Sequence, residues 1–248
     1  MSEPVLVLDG VWKGFDRGGR PFSMLEDVSL RVLAREVVSI IGTRDQGKST
    51  LVRIAAGFER PDRGSVHVGG FALAGLKDSE HSGVLRSLIG LAARSGPGGT
   101  QPKMGEYVLL RLTSGQGFSK RKRRVMVAAA LERLDVADCA ESRWEDLSTL
   151  QRMRVELAQA IVTRPKLLLV DDIIDGLGLG KSKDAMELVR ELAHELGCGV
   201  LMVASDDVAV IPSDVVWKLA EKKLKLMADN RTHNITPIDV SITNRRAS

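Results

Sequence analysis

The sequence predicts an α/β fold in which a core of short strands and helices carries a helical insertion. Three observations predict it. A β-branched run ending at Ile41 passes through a glycine-bounded loop into a helical stretch that begins at Lys48. A second run, Leu167 to Val170, is wholly apolar, as a central parallel strand buried on both faces requires. Between these halves, Ser95 to Thr100 (SGPGGT) breaks the pattern, and helical periodicity follows it until about Leu147.

Each element has its own local reason. Val5 to Leu8, Val28 to Val32 and Glu36 to Ile41 are short β-branched-rich runs that read as strands, with a turn-rich stretch from Gly14 to Arg20 between the first two. The helix from Lys48 to Ala56 meets Gly57, which accepts the left-handed closing conformation. Gly64 to Phe71 alternates around Gly69-Gly70 and predicts a hairpin. Lys120 to Leu134 has helical periodicity, with Val125, Ala128, Ala129 and Leu131 toward one side, and Leu147 to Val162 is helical again. Lys183 to Leu196 is an amphipathic helix stopped by Gly197, and Val200 to Ala204 is a further buried strand. Asn230 to Ser248 is polar, lacks an apolar period and reads as a loose tail. The expected organisation is therefore a first part of the core with a β-subdomain over 1–93 and a helical subdomain over 94–147. A second part of the core follows over 148–229, then the polar tail over 230–248.

Composition narrows the class. A chain of 248 residues can bury a sizeable core, and its 44% hydrophobic and 27% charged shares are ordinary for a globular protein. No apolar run is long enough to span a bilayer, and MSEPVLVLDG lacks the basic start and apolar stretch of a secretion signal, so the cytoplasm is the expected compartment. Cys139 and Cys198 match no metal spacing and read as reduced thiols. The net charge of +4 suits work near acidic head groups or nucleic acid without specifying either. Lys120 to Arg124 (KRKRR) reads as a solvated helix face, the alternatives being a membrane-surface contact or a nucleic-acid patch, and no nucleic-acid partner is expected because few aromatics interleave with it. His67, His81, His194 and His233 form no cluster, Trp12, Trp144 and Trp217 read as packing residues, and the Asn234-Ile235-Thr236 triplet reads as a chance acceptor sequence.

Residues 42 to 50 carry the chemistry. They read GTRDQGKST and match G-x-x-x-x-G-K-[ST], with a strand before and a helix after. Gly42 and Gly47 let the backbone of Thr43, Arg44, Asp45 and Gln46 curl so that its amides converge on phosphate oxygens. The helix beginning at Lys48 adds its positive end. Lys48 is placed to reach the β- and γ-phosphates and Ser49 to ligate Mg²⁺, while Thr50 lies near the α-phosphate or packs locally. Alone, the motif says that a nucleoside triphosphate binds. A carboxylate site complements it: LLLVDD ends an apolar strand in Asp171, which is expected to bind Mg²⁺ through water.

Taken in order, VWKGFDRGG, LEDVSLRV, GTRDQGKSTLVRIAAGFERPDRGSVHVGG and LSTLQRMRVELAQAIVTRPKLLLVDD resemble the ATP-binding cassette (ABC) family from about Val5 to Ala228. The resemblance implies a P-loop NTPase core with an ABC-type antiparallel β-subdomain and a helical subdomain insertion. It also implies ATP and Mg²⁺ as cofactors, a head-to-tail dimer with a second ABC subunit (identical or different), and membrane-spanning transporter subunits as partners, with the chain peripheral on the inner face of the membrane. On this resemblance Phe15 matches the aromatic that stacks on adenine, the alternative being edge packing, and Ser148 faces the partner's nucleotide while also capping a helix with Gln151 in the reciprocal position.

Several positions depart from the family pattern. LSGGQ is here LSTLQ, so Thr149 and Leu150 replace two glycines, and Leu150 is expected to add bulk near the γ-phosphate. The catalytic glutamate is here Asp172, one methylene shorter, and a misplacement of about 1 Å can cost on the order of 100-fold in rate. Ser205 stands at the switch histidine, Arg94 at the metal-contacting glutamine, and Gly178 at a loop aspartate. A guanidinium has no acceptor and cannot ligate a metal. The pocket is thus expected to bind ATP, with Lys48 and Asp172 as catalytic candidates and hydrolysis weak. The alternative is a non-hydrolysing nucleotide-binding structural or regulatory subunit, paired with an active cassette.

Overall fold

The computed structural model describes residues 3–16, 18–75, 85, 87–94, 96–98, 102–112, 117–205 and 212–231. Its first strands are β1 (Pro4–Asp16), β2 (Pro21–Leu33) and β3 (Val37–Ile41), followed by helix α1 (Lys48–Ala55). The hairpin β4 (Arg63–Val68) and β5 (Phe71–Ala72) comes next, then β6 (Ile89–Ala93). Helices α2 (Met104–Leu110), α3 (Lys120–Arg133) and α4 (Thr149–Ile161) precede β7 (Leu167–Asp171). The chain continues through α5 (Leu179–Leu196), β8 (Gly199–Ala204), β9 (Val215–Ala220) and β10 (Lys223–Asp229). Two sheets result. One has four antiparallel strands in the order β2-β1-β4-β5, and the other has six in the order β10-β9-β3-β8-β7-β6. In the larger sheet β9, β3, β8, β7 and β6 run parallel, and β10 alone is antiparallel.

The period-2 alternation of the larger sheet divides the core into two layers. Leu168, Val170, Val200 and Met202 face the layer containing α2 to α5. Leu167, Leu169, Leu201 and Val203 face the layer of α1 and the antiparallel sheet. All eight side chains are fully buried. Gly90 lets α4 lie directly on β6, because a Cβ there would overlap the Ala160 carbonyl oxygen.

Two expectations are corrected, and one element is new. The Gly14 to Arg20 stretch is not all turn: β1 runs to Asp16, Phe15 pairs with Phe22, and β2 begins at Pro21. The Gly14 amide donates to Asp62 at 2.7 Å, which ties the polar end of β1 to the start of β4 and carries the strand onward. On α3 the buried face is Val127, Ala130 and Leu131, whereas Val125 is 61% exposed and Ala128 and Ala129 face solvent. The i, i+3, i+4 spacing permits both faces, and packing on the helical layer selects the second. The β9–β10 hairpin has no counterpart in the sequence reading. Its turn places Glu221 and Lys222 at φ 50 and 69°, without the Asn-Gly or Asp-Gly pair that signals such a turn. Both cysteines are buried free thiols. The breaker cluster 95–100 is only partly described, and 232–248 of the expected tail, like His81 and Asn234, lies outside the described residues.

One buried charge joins the layers. Glu156 of α4 is 3% exposed and accepts hydrogen bonds from Tyr107 Oη on α2 at 3.0 and 3.2 Å. The Ala93 amide at the end of β6 donates to the same carboxylate. Burial dominates these hydrogen bonds and pushes the Glu156 carboxyl up to about 7. A carboxyl raised above its unfolded value stabilises the fold while protonated. That contribution is whole below the unfolded value near 4.5 and is lost as pH rises through about 7. Glu156→Gln removes the titration. In urea unfolding series at pH 5 and pH 8, the parent should lose stability relative to the variant by up to ~3 kcal/mol as pH rises. A difference that stays flat with pH contradicts this assignment.

Candidate nucleotide site

The loop over 42–50 follows from β3 running parallel to β8 and opening at its carboxyl end. Gly42 lies against the Leu219 carbonyl oxygen, which a Cβ would approach to 2.7 Å. Gly47 has φ 92°, and a Cβ there would stand 2.8 Å from Met24 Cγ. Two glycines are thus required for separate reasons, one by a close approach and one by both conformation and space. Asp45 takes φ 62°, a region that aspartate tolerates better than most residues. Thr43, Arg44, Asp45 and Ser49 are exposed, Gln46 and Thr50 are half-buried, and the Gln46 Oε1 is buried without a hydrogen-bond partner. Helix α1 starts with no side-chain cap and no acid in its first turn, which leaves its amino end open to an anion.

Lys48 is 6% exposed, and its Nζ donates to the carbonyls of Gly42 at 2.6 Å and Thr43 at 2.9 Å. The ammonium is held over the loop it serves. Ser49 Oγ donates to Asp171 Oδ1 at 3.0 Å, across 122 positions of sequence. Burial raises the proton affinity of Asp171, opposed by the Ser49 hydrogen bond and the Lys48 charge. These two oxygens, a hydroxyl and a carboxylate 3.0 Å apart, are of the hard-donor kind that a magnesium ion takes.

Asp172 follows at φ 52°, and its Oδ1 is buried without a hydrogen-bond partner. Burial, then the charges of Asp175 and Asp171, raise its proton affinity, while Lys48 and Arg94 pull it down. The Ser205 hydroxyl donates to Asp175 Oδ1 at 3.2 Å, so it is committed to that carboxylate. Asp175 is the member of this group that sequence reasoning passed over; the DDIID spacing is its only signal. Gly178 takes φ 79° before α5, and its carbonyl accepts from the Ser182 amide and hydroxyl.

The remaining candidates lie apart from the loop. Phe15 is half-buried, 6.0 Å from the Phe22 ring centroid and 5.3 Å from Lys13 Nζ. It lines an open groove of about 560 Å³ with Lys13, Phe22, Asp62 and neighbours, and no residue of 42–50 is in that lining. Met24, further along the same hairpin, lies against Gly47. Ser148 is exposed and caps α4, accepting from the Gln151 amide at 3.4 Å while Gln151 Oε1 accepts from the Ser148 amide at 3.0 Å. Leu150, expected to crowd the phosphate side, packs its half-buried side chain against the helical-layer core instead. An apolar side chain in the first turn of a helix is drawn to the nearest apolar surface.

A phosphate-binding loop between strand and helix, with a strand-end aspartate on its serine, defines a nucleotide-binding protein of the P-loop class. The ABC transporter family profile matches residues 25–175, and the chain belongs to that family. Methionine import ATP-binding protein MetN 2 of Rhodococcus jostii is 31% identical over 222 residues, covering 89% of this chain and 65% of that protein. The macrolide export ATP-binding/permease protein MacB of Hahella chejuensis is 27% identical over 225 residues, covering 90% of this chain and 34% of that protein. The chain thus spans from about a third to two-thirds of the length of these curated relatives. Among solved structures, a dimeric bacterial ABC transporter cassette superposes with a TM-score of 0.81 at 25% identity, covering 91% of this chain and 99% of that one. The fold is also that of cbiO1 from Clostridium perfringens, with a TM-score of 0.79 at 21% identity over 92% of this chain and 90% of that one.

The capping role of Ser148 has a direct test. Ser148→Ala should lower unfolding stability by about 1 kcal/mol with no nucleotide present, and Ser148→Asp should recover most of it. Equal stability of all three proteins in denaturant titrations contradicts the cap.

Proposed function

We propose that this chain is the ATP-binding subunit of an ABC transporter. It binds ATP with Mg²⁺ at Gly42 to Thr50 and couples that binding to movement of membrane-spanning partner subunits, together with a second cassette, identical or different. The observation that carries the reading is the Ser49–Asp171 pair at the mouth of the loop, with Lys48 held beside it. The import and export roles in the names of its relatives support a transport setting. No helix among the described residues is long and apolar enough to cross a membrane. In this reading the membrane-spanning partner subunits carry the transport path and the chain works on the cytoplasmic face.

The geometry supports the following roles. The amides at the start of α1 and the Lys48 ammonium receive the β- and γ-phosphates, Lys48 exchanging its loop carbonyls for phosphate oxygens. Ser49 and Asp171 hold Mg²⁺, which when bound neutralises and orients those phosphates. Phe15 offers its ring to the adenine from the groove at the hairpin end. Ser148 presents the exposed start of α4 to the nucleotide of the second cassette.

Asp172 is the base for water attack. Burial and the neighbouring carboxylates raise its proton affinity, which favours proton uptake closer to neutral pH. Its short side chain and the commitment of Ser205 to Asp175 leave the attacking water poorly placed, so turnover by this subunit alone is slow. In single-turnover assays with radiolabelled ATP, the isolated chain should release phosphate on the order of 100-fold slower than a cassette carrying glutamate at that place. Brisk release that disappears in Lys48→Ala contradicts slow turnover. Coexpression with membrane subunits and a second cassette, followed by copurification, tests the transporter assignment; failure of every such pairing contradicts it.

A further inference from the structure

A nucleoside triphosphate brought to the loop meets a concentration of negative charge. Asp171 and Asp175 both act electrostatically on Asp172, and Asp175 acts on Asp171. The Lys48 ammonium is engaged with two loop carbonyls. Arg94 is the other cation acting on Asp172. Its placement comes from the sheet: β6 runs parallel to β7 with Ala93 opposite Asp171, so Arg94 leaves the sheet beside Asp172. Its Nη2 lies 3.9 Å from where a Cβ on Gly176 would stand, over the segment that carries Asp175. The side chain is exposed and therefore open to a ligand.

The backbone beneath Arg94 is anchored. The Ala93 amide donates to the buried carboxylate of Glu156, which Tyr107 holds from the other side. Gly90 seats the same strand against α4 with no space for a side chain. A long cationic side chain on a fixed strand end can hold position against a charged ligand, where one on a free loop loses more freedom on binding.

Resting on the ATP-binding reading above, we propose that Arg94 is a triphosphate-binding residue whose guanidinium supplies, beside Asp171 and Asp172, positive charge additional to that of Lys48 and of a divalent cation. The site then takes metal-free nucleoside triphosphate nearly as well as its magnesium complex. The chemistry suits the task. A guanidinium offers paired N–H donors matched to phosphate oxygens, stays charged at any working pH, and cannot compete as a metal ligand. Glutamine at this position keeps a donor of similar reach and loses the charge, whereas lysine keeps the charge and loses the fork.

The test is a titration of the full chain with a non-hydrolysable ATP analogue, in magnesium buffer and in EDTA, for the parent, Arg94→Gln and Arg94→Lys. The parent should weaken by no more than about threefold on removing magnesium. Arg94→Gln should weaken by on the order of tenfold or more, the size expected for losing a charged phosphate contact, with Arg94→Lys between them. Thermal unfolding of the free proteins should coincide, since the side chain is exposed. Binding that depends equally on metal in parent and Arg94→Gln overturns this inference alone. Absence of binding by the parent in both buffers overturns the ATP-binding reading and this inference with it.

Discussion

The hydrogen bond from Ser49 to Asp171 is the contact through which the two halves of this chain make one site. It exists because β3 and β7 flank β8 in a parallel sheet, so the loop leaving β3 and the carboxylate ending β7 emerge at the same edge. Parallel order puts the carboxyl ends of all these strands together, and ligands of such sheets sit beyond that edge. The two buried layers on either face of the sheet hold the register that sets the 3.0 Å spacing.

The helical layer is coupled to that edge through few, well-defined groups. Glu156 on α4 reaches both Tyr107 on α2 and the Ala93 amide, so a buried carboxylate joins the helices to the strand end that carries Arg94. The same helix begins at Ser148, whose capping box with Gln151 fixes the start of the segment facing away from the core. Leu150 draws that first turn inward onto apolar neighbours. The helical layer therefore presents an exposed helix start at Ser148 and holds the end of β6 through Glu156.

Much of this architecture is legible in the residues because local and global requirements agree. The loop from Gly42 to Ser49 announces itself through glycine spacing, and the LLLVDD run through an apolar strand closed by a charge. Ser148 and Gln151 carry the capping signal at its required spacing, and the structure forms both of its hydrogen bonds. What was not legible depends on tertiary choice. The apolar positions of α3 permit two faces, and only packing selects Val127, Ala130 and Leu131. The β9–β10 turn uses two charged residues in left-handed conformations that no local preference favours. Asp175 and Glu156 read in sequence as ordinary acids, since their importance comes from partners 30 and 49 positions away.

The central claim is that this edge binds a magnesium-bound nucleoside triphosphate through the loop and its lysine. Calorimetric titration of the purified chain with ATP and magnesium, beside Lys48→Ala, measures that claim directly. Saturable binding by the parent, lost by on the order of tenfold or more in the variant, is the predicted result. No heat of binding in either protein, or equal affinity in both, would contradict it.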